Sequence, residues 1–380
     1  MKCFSTTAIF LALAVSALAE TPTATITSAP FGKTDDGAPI TIYTLRNASG
    51  MEARIMDFGG VIVSLKVPDR KGAFADVVLG YDAVDRYLSE RHFYGAILGR
   101  YAGRIGAGKF DLEGGHYQLN TYGRDMLHGG YRGFDRVLWK SEAAGTKEGP
   151  TVKLTYLSKD GEEGFPGNLT VNAVYTLTAK NELRLDFTAT TDKPTVINFS
   201  NHSYFNLAGQ GEGNILAHVL QMNAGKVLVI NDGRLPTGET RDVAGTPLDF
   251  RKPTAIGARI DADFDQITFA HGYDNYWIFD KKPGELALMA RVVEPKSGRV
   301  MEVLSTEPGL QFYAGVNIED DTGKGGKAYT VHSAFCMEAG HYPDSPNHPE
   351  FPTTELKPGD TFHSTIIYRF STDKDAVAEK

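Results

Sequence analysis

Leu169-Thr170-Val171-Asn172-Ala173-Val174-Tyr175-Thr176-Leu177, a Lys180-Asn181 turn, then Leu183-Arg184-Leu185-Asp186-Phe187-Thr188-Ala189: every second side chain is apolar, and most of those between are polar. A period of two marks a strand with one face in a core, because successive side chains leave a pleated backbone on opposite sides. Two such runs around a short polar turn predict an antiparallel hairpin. A second hairpin is expected where Arg291-Val292-Val293-Glu294 and Val300-Met301-Glu302-Val303-Leu304 flank Pro295-Lys296-Ser297-Gly298. Shorter runs at Ile40–Leu45, Val61–Val67 and Val152–Leu157 add strands, and Asp82 to Glu90 is the one convincing short helix. With 41 glycines and 18 prolines punctuating the chain, the class is all-β. Strands at this density predict a large antiparallel β-sandwich with few short helices. No Ser/Pro-rich linker and no repeat of fixed period divides the chain, so residues 20–380 are expected to form a single domain.

Residues 1–19 are set apart from that domain. Met1-Lys2 is a short positive start, Phe4 to Leu18 is mostly apolar, and Ala17-Leu18-Ala19 fits a small-residue cleavage site followed by a loop-like Thr21-Pro22-Thr23. This predicts a signal peptide, a mature chain starting near Glu20, and an exported, periplasmic or secreted product. No later run reaches the ~18 apolar residues of a membrane span, so no membrane attachment is expected after cleavage. Cys3 leaves with the leader, and Cys336 alone allows no internal disulfide. A chain of this length can bury a core without one. Acidic residues outnumber basic ones, 47 to 39, and no Lys/Arg run is present, which argues against a nucleic-acid partner.

Several suggestive strings fail on their mechanics. Gly323-Lys324-Gly325-Gly326-Lys327 lacks the hydroxyl residue and leading glycine of a phosphate loop and is expected to be a surface turn. Asp261-Ala262-Asp263-Phe264-Asp265 continues into Gln266 where a calcium loop needs glycine, so a solvated acidic loop is expected. No pair of histidines has metal-ligand spacing, and neither a metal nor an organic cofactor is expected.

Other strings concentrate polar and aromatic groups beyond what strands require. Asn198-Phe199-Ser200-Asn201-His202-Ser203-Tyr204-Phe205-Asn206 is the densest, with amides, hydroxyls and an imidazole suited to a polyhydroxylated ligand and ring faces suited to sugar C–H groups. Leu127-His128-Gly129-Gly130, Gly272-Tyr273-Asp274-Asn275, Gly309-Leu310-Gln311-Phe312-Tyr313 and Phe335-Cys336-Met337-Glu338 each set one polar residue beside apolar or glycine neighbours. Glu338 is expected at the end of a buried strand, where desolvation would raise its pKa toward that of a useful general base.

Together these strings resemble the aldose 1-epimerase, or galactose mutarotase, family. The similarity begins at Phe58-Gly59-Gly60, continues through Val78-Leu79-Gly80-Tyr81, Gly99 to Phe110, Leu127 to Asp135 and Asn201 to Tyr204, and ends at Pro343-Asp344-Ser345-Pro346-Asn347. The resemblance implies a galactose mutarotase-like supersandwich with an open sugar cleft on one sheet. It implies His202 as general acid, Glu338 as general base, and Arg104, His128, Asp274 and Gln311 as holders of sugar hydroxyls, with Tyr204 lining the same pocket. Gly103 and Ala339-Gly340 depart from the asparagine and Thr-Gln common in the family, which bears on the preferred sugar.

The implied activity is interconversion of the α and β anomers of free aldohexoses, galactose or glucose, with no cofactor. Opening the hemiacetal needs a base for the C1 hydroxyl proton and an acid for the ring oxygen, and histidine suits the second role because its ordinary pKa of ~6.5 is favoured upward by a nearby carboxylate. Two alternatives share the fold. A lectin-like sugar binder would need hydroxyl partners but no acid–base pair, and a phosphosugar mutarotase would need a basic cluster where the motifs supply mainly Arg104.

Overall fold

The Leu169–Leu177 and Glu182–Thr191 strands pair antiparallel, Tyr175 opposite Leu185 and Leu177 opposite Leu183. Val171, Ala173, Tyr175, Leu183, Leu185 and Phe187 are buried, while Asn172, Arg184 and Asp186 stay partly exposed, as the alternation requires. Asn181 closes the turn at φ 58°, a left-handed conformation that asparagine tolerates because its short polar side chain bonds locally. The structure is a computed structural model describing residues 23–121 and 123–375, so the expected leader at residues 1–19 lies outside the described residues.

A nine-stranded antiparallel sheet grows outward from this hairpin. Pro150–Ser158 extends it on one side. On the other, Phe362–Thr372 leads to the second expected hairpin, Ala287–Val293 with Arg299–Ser305, in which Val293 faces Val300. The Glu294 carboxylate shapes its turn by accepting the backbone N–H groups of Lys296 and Ser297 at 2.9 and 2.6 Å. A five-stranded sheet runs from Thr25–Lys33 to Phe74–Asp76, and a six-stranded sheet completes the sandwich. One apolar cluster joins all three: Leu65 from the five-stranded sheet, Leu185 and Val303 from the nine-stranded, and Trp277, Phe312 and Met337 from the six-stranded, each fully shielded. Burial of side chains of this size contributes roughly 1.5–3 kcal/mol apiece.

The six-stranded sheet positions the site. Its Phe335–Gly340 strand lies between Tyr204–Phe205 and Gly309–Tyr313, followed by Asp274–Ile278 and Lys226–Ile230. Phe335, Met337 and Ala339 enter the common core, so Cys336, Glu338 and Gly340 face the other way. Glu338 therefore sits inside the strand rather than at its end. All six residues of that strand are buried, so no polar alternation marks its limits.

Two more expectations are corrected. Among the described residues a second α-helix, Asp265–Ala270, joins Val84–Ser89; it starts at the last residue of the acidic stretch, whose Asp261, Asp263 and Asp265 are exposed as a solvated loop requires. Its Gln266 is fully buried, accepting from the Ile230 N–H at 2.8 Å and donating to the Ile230 carbonyl at 3.0 Å. The side-chain amide substitutes there for a neighbouring strand. The Gly323–Lys327 turn is tight, but Lys324 is buried, its ammonium donating to the Val63 carbonyl at 2.7 Å and to Asp76 at 2.6 Å.

Arg100 is the buried cation nearest the site. Its guanidinium donates to the carbonyls of Pro166 at 2.7 Å, Gly167 at 3.1 Å, Ser158 at 3.1 Å and Lys159 at 3.2 Å. It thereby fastens the 158–167 loop to the glycine-rich string that carries Arg104. Arg100→Leu leaves these acceptors without a donor and should lower the unfolding free energy by about 3 kcal/mol or more in urea titrations. An unchanged midpoint would remove Arg100 from the framework.

Candidate active site

The outer face of the six-stranded sheet is a grid set by strand register. Glu338 faces Gln311, Gln311 faces Tyr276, and one step along the strands Cys336 faces Tyr313, which faces Asp274. The grid floors a cleft of about 310 Å³, near the lower bound of ~300–1,000 Å³ common for small-molecule sites. All seven expected site residues, Arg104, His128, His202, Tyr204, Asp274, Gln311 and Glu338, line it.

Short pairings bring the remaining residues to this floor. Leu127 pairs with Arg104, which places His128 beside the arginine. His128 N–H donates to the Gly103 carbonyl at 2.9 Å, and Gly103 N–H donates to His128 Nδ1 at 3.1 Å. The second bond puts the neutral ring's proton on Nε2, so His128 offers the cleft a donor. Only glycine fits next, since a Cβ on Gly129 would lie 1.9 Å from the Gly99 carbonyl oxygen. Ser200-Asn201 pairs with Ile97-Leu98, and Tyr204-Phe205 with Phe335-Cys336, so His202 lies next to Glu338.

His202 Nε2 stands 3.5 Å from Glu338 Oε1, both side chains almost sealed from solvent. Its Nδ1 meets the Cys336 thiol at 3.4 Å. Burial pushes the His202 pKa down to about 4. Burial, reinforced by Asp274 and opposed by Arg104, pushes Glu338 well above the carboxylate range. Both directions favour a protonated Glu338 beside a neutral imidazole, so burial outweighs the carboxylate effect expected to favour an imidazolium.

The other end of the cleft is paired. Asp274 accepts from Gln311 Nε2 at 2.7 Å and from Arg234 Nη1 at 3.2 Å. At a third wall His341 Nδ1 lies 2.6 Å from the buried Glu307 carboxylate. Gly103 and Gly340 both line the cleft, so the two departures from the family pattern do border the ligand space.

Phe93, Arg234, Tyr313 and His341 were missed by sequence reasoning. Phe93 and Arg234 have left-handed backbones, φ 58° and 62°, as does His128 at 49°. Such conformations in non-glycine residues concentrate at functional sites. The Asn231-Asp232-Gly233 turn before Arg234 and the aromatic run Phe93-Tyr94 were the available signals.

Among the described residues, His128, His202 and Glu338 form the one group whose ligand atoms approach within 4.8 Å of one another, as a metal site requires. They do not fit an ion. A metal on His128 Nε2 would displace its proton toward Nδ1, which already faces the Gly103 N–H.

The aldose 1-epimerase family model matches residues 41–369. The chain belongs to the aldose 1-epimerase family. Galactose mutarotase of Bos taurus is 40% identical over 349 residues, covering 91% of this chain and 98% of the bovine protein. Aldose 1-epimerase of Escherichia coli strain K12 is 34% identical over 338 residues, covering 88% and 96%. The crystal structure of galactose 1-epimerase from Lactobacillus acidophilus superposes with a TM-score of 0.81 at 28% identity, covering 92% of this chain and 99% of that one. The supersandwich expected of this epimerase family is thus the fold observed.

The His341–Glu307 pair gives this family member a pH-dependent wall. Burial opposes both charges, but Glu307 raises His341 above its ordinary 6.5, and His341 holds Glu307 below its ordinary 4.5. The imidazole's contribution to stability is full below about 6.5 and is lost as pH rises through its raised pKa; the carboxylate's is present above about 4.5 and is lost as pH falls through its lowered one. Glu307→Gln should therefore cost about 3 kcal/mol between those two values and less on the alkaline side, in urea unfolding across pH. A deficit independent of pH would refute the pairing.

Proposed function

We propose that His202 and Glu338 are the acid–base pair with which this aldose 1-epimerase interconverts the α and β anomers of free aldohexoses, galactose and glucose among them. The observation that supports it is the 3.5 Å approach of His202 Nε2 to Glu338 Oε1 within a cleft that Arg104, His128, Asp274 and Gln311 also line. The pair holds one mobile proton. Moving it from Glu338 to His202 gives carboxylate and imidazolium at no change in net protonation, and Arg104, close enough to oppose the carboxyl's raised pKa, favours that form.

Glu338 then takes the C1 hydroxyl proton while His202 gives its proton to the ring oxygen. The C1–O5 bond breaks with its electron pair going to O5, and C1 becomes an aldehyde. Both residues are now back in the neutral state that burial prefers. Rotation about C1–C2 presents the other face of the carbonyl, and reversal of the two transfers closes the opposite anomer. Nothing is consumed. The Nε2–H of His128 and the guanidinium of Arg104 hold oxygens near the reacting carbon, Asp274 and Gln311 hold hydroxyls at the far end, and Tyr204 walls the pocket. A lectin-like binder would have no use for a buried pair sharing one proton.

Polarimetry of freshly dissolved α-galactose tests the assignment. Glu338→Gln and His202→Asn should each lose ~100-fold or more in kcat with the fold intact. The wild-type rate should follow a bell-shaped pH profile, falling on the acid side near pH 4, where neutral His202 gains a second proton for the pair, and on the alkaline side as Glu338 ionises above the carboxylate range. Near-normal rates in either folded variant would sink it.

We also propose that the protein is exported, on the strength of the residue 1–19 leader. Sequencing the amino terminus of material recovered from the periplasm or medium should begin at Glu20. Recovery in the cytoplasm with Met1 retained would overturn this.

A further inference from the structure

A histidine that must take and give a proton along one direction needs its ring held against rotation, and little of that hold comes from hydrogen bonds. His202 Nδ1 meets the Cys336 thiol, a weak partner, at 3.4 Å, and Nε2 faces Glu338 at 3.5 Å. Its hold comes from aromatic rings. Phe93 stacks on it with centroids 5.6 Å apart and planes at 22°, Tyr204 stacks at 4.9 Å and 26°, and His128 meets it at 5.1 Å and 87°. Phe93 also meets His128 edge-on, at 4.9 Å and 67°. Among the described residues it is the one non-histidine ring in contact with both His128 and His202.

The turn bearing Phe93 is built for that contact. Phe93 holds φ at 58°, a costly conformation for a bulky residue. Its carbonyl accepts from the Ala96 N–H at 3.0 Å, while Gly95 N–H donates to the His202 carbonyl at 3.0 Å and His202 N–H donates to the Ala96 carbonyl at 2.9 Å. The turn is therefore laced to the backbone of the residue its ring contacts. Arg91 places its guanidinium 4.7 Å from the Phe93 ring centroid. It is itself gripped twice by the buried Asp135 carboxylate, at 3.0 and 3.1 Å. The ring thus packs against both imidazoles and a guanidinium while its remaining surface borders the cleft.

We propose that Phe93, clamped by Arg91 and Asp135, is a positioning residue that fixes the His202 ring toward Glu338 and keeps water off it. This rests on the acid role assigned to His202. The charged and titratable groups facing His202 are Glu338 and Cys336 on one strand, Asp274 and Tyr313 on the next two, and His128 and Tyr204 beside it. None of them is altered by a substitution at Phe93. Loss of the ring admits solvent, so the imidazole, held near 4 by burial, should titrate higher.

Phe93→Ala and Phe93→Tyr test this by polarimetry across pH. The alanine variant should lose about 10- to 100-fold in kcat with KM within about threefold, because a ring misaligned by an ångström forfeits rate more than binding. The acid limb of its kcat/KM profile should move up by about one pH unit. Tyrosine, which keeps the flat ring, should restore both. Nitrogen-15 histidine NMR of Phe93→Leu, which retains bulk without a stacking face, gives the same titration independently and stands in for alanine if that variant fails to fold. An unchanged kcat and acid limb in the alanine variant would overturn the proposal. So would equal losses in alanine and tyrosine with the His202 titration unmoved. A dead His202→Asn beside a normal Phe93→Ala would defeat the positioning role alone, whereas an active His202→Asn would defeat the acid role beneath it.

Discussion

A carboxyl and an imidazole stand 3.5 Å apart and withdrawn from water, and keeping them so is the constraint on which the surrounding structure depends. Each group alone is forced toward its neutral form by burial. Their combined protonation state can shuttle between neutral and ion-paired forms without exchange with solvent. A reaction whose two ends differ little in free energy requires just such reversibility, since a pair strongly committed to one form would favour one half of the cycle and hinder the other.

Burial of this kind needs backing, and the sandwich supplies it. The strand bearing Glu338 is packed on its far face by Phe335, Met337 and Ala339 in the cluster shared by all three sheets. On the near face, Cys336, Tyr204 and Tyr313 join Tyr94 and Ile318 in a second apolar cluster. Glu338 emerges between these two apolar masses, which explains why desolvation dominates its titration. Some backbone cost is carried at the rim, where Phe93, His128 and Arg234 hold left-handed conformations within hydrogen-bonded turns.

The hairpins were legible because a period of two in Leu169–Ala189 has one physical meaning when one face is wet. The same rule failed at Phe335–Gly340, where both faces are covered and the pattern carries no phase. The Asp265–Ala270 helix is too short for a helical period to register, and its acidic start resembles a loop. Lys324 looked like a surface residue because its neutralising partner, Asp76, lies far away in sequence. The seven expected site residues came from strings that resemble the family's, and the structure gathers all seven around one cleft. Phe93 and Arg234 were missed, since a stacking contact across 109 residues to His202, or an ion pair across 40 to Asp274, leaves no local trace.

The two ends of the cleft solve opposite electrostatic problems. At the reacting end, charge is suppressed by apolar walls and stacked rings so that a proton can move at little cost. At the far end, Asp274 is already engaged by Gln311 and Arg234, each taking one carboxylate oxygen and leaving the remaining lone pairs for sugar hydroxyls. Fixed donors there cost no rearrangement on binding, and because the Asp274 charge also raises the pKa of Glu338, the far end is coupled to the proton at the near one. Gly103 and Gly340 border the cleft without adding side chains of their own, which leaves backbone and His341 exposed to that space. On the proposed roles, recognition and proton transfer use different side chains of one cleft, linked through the Asp274 charge.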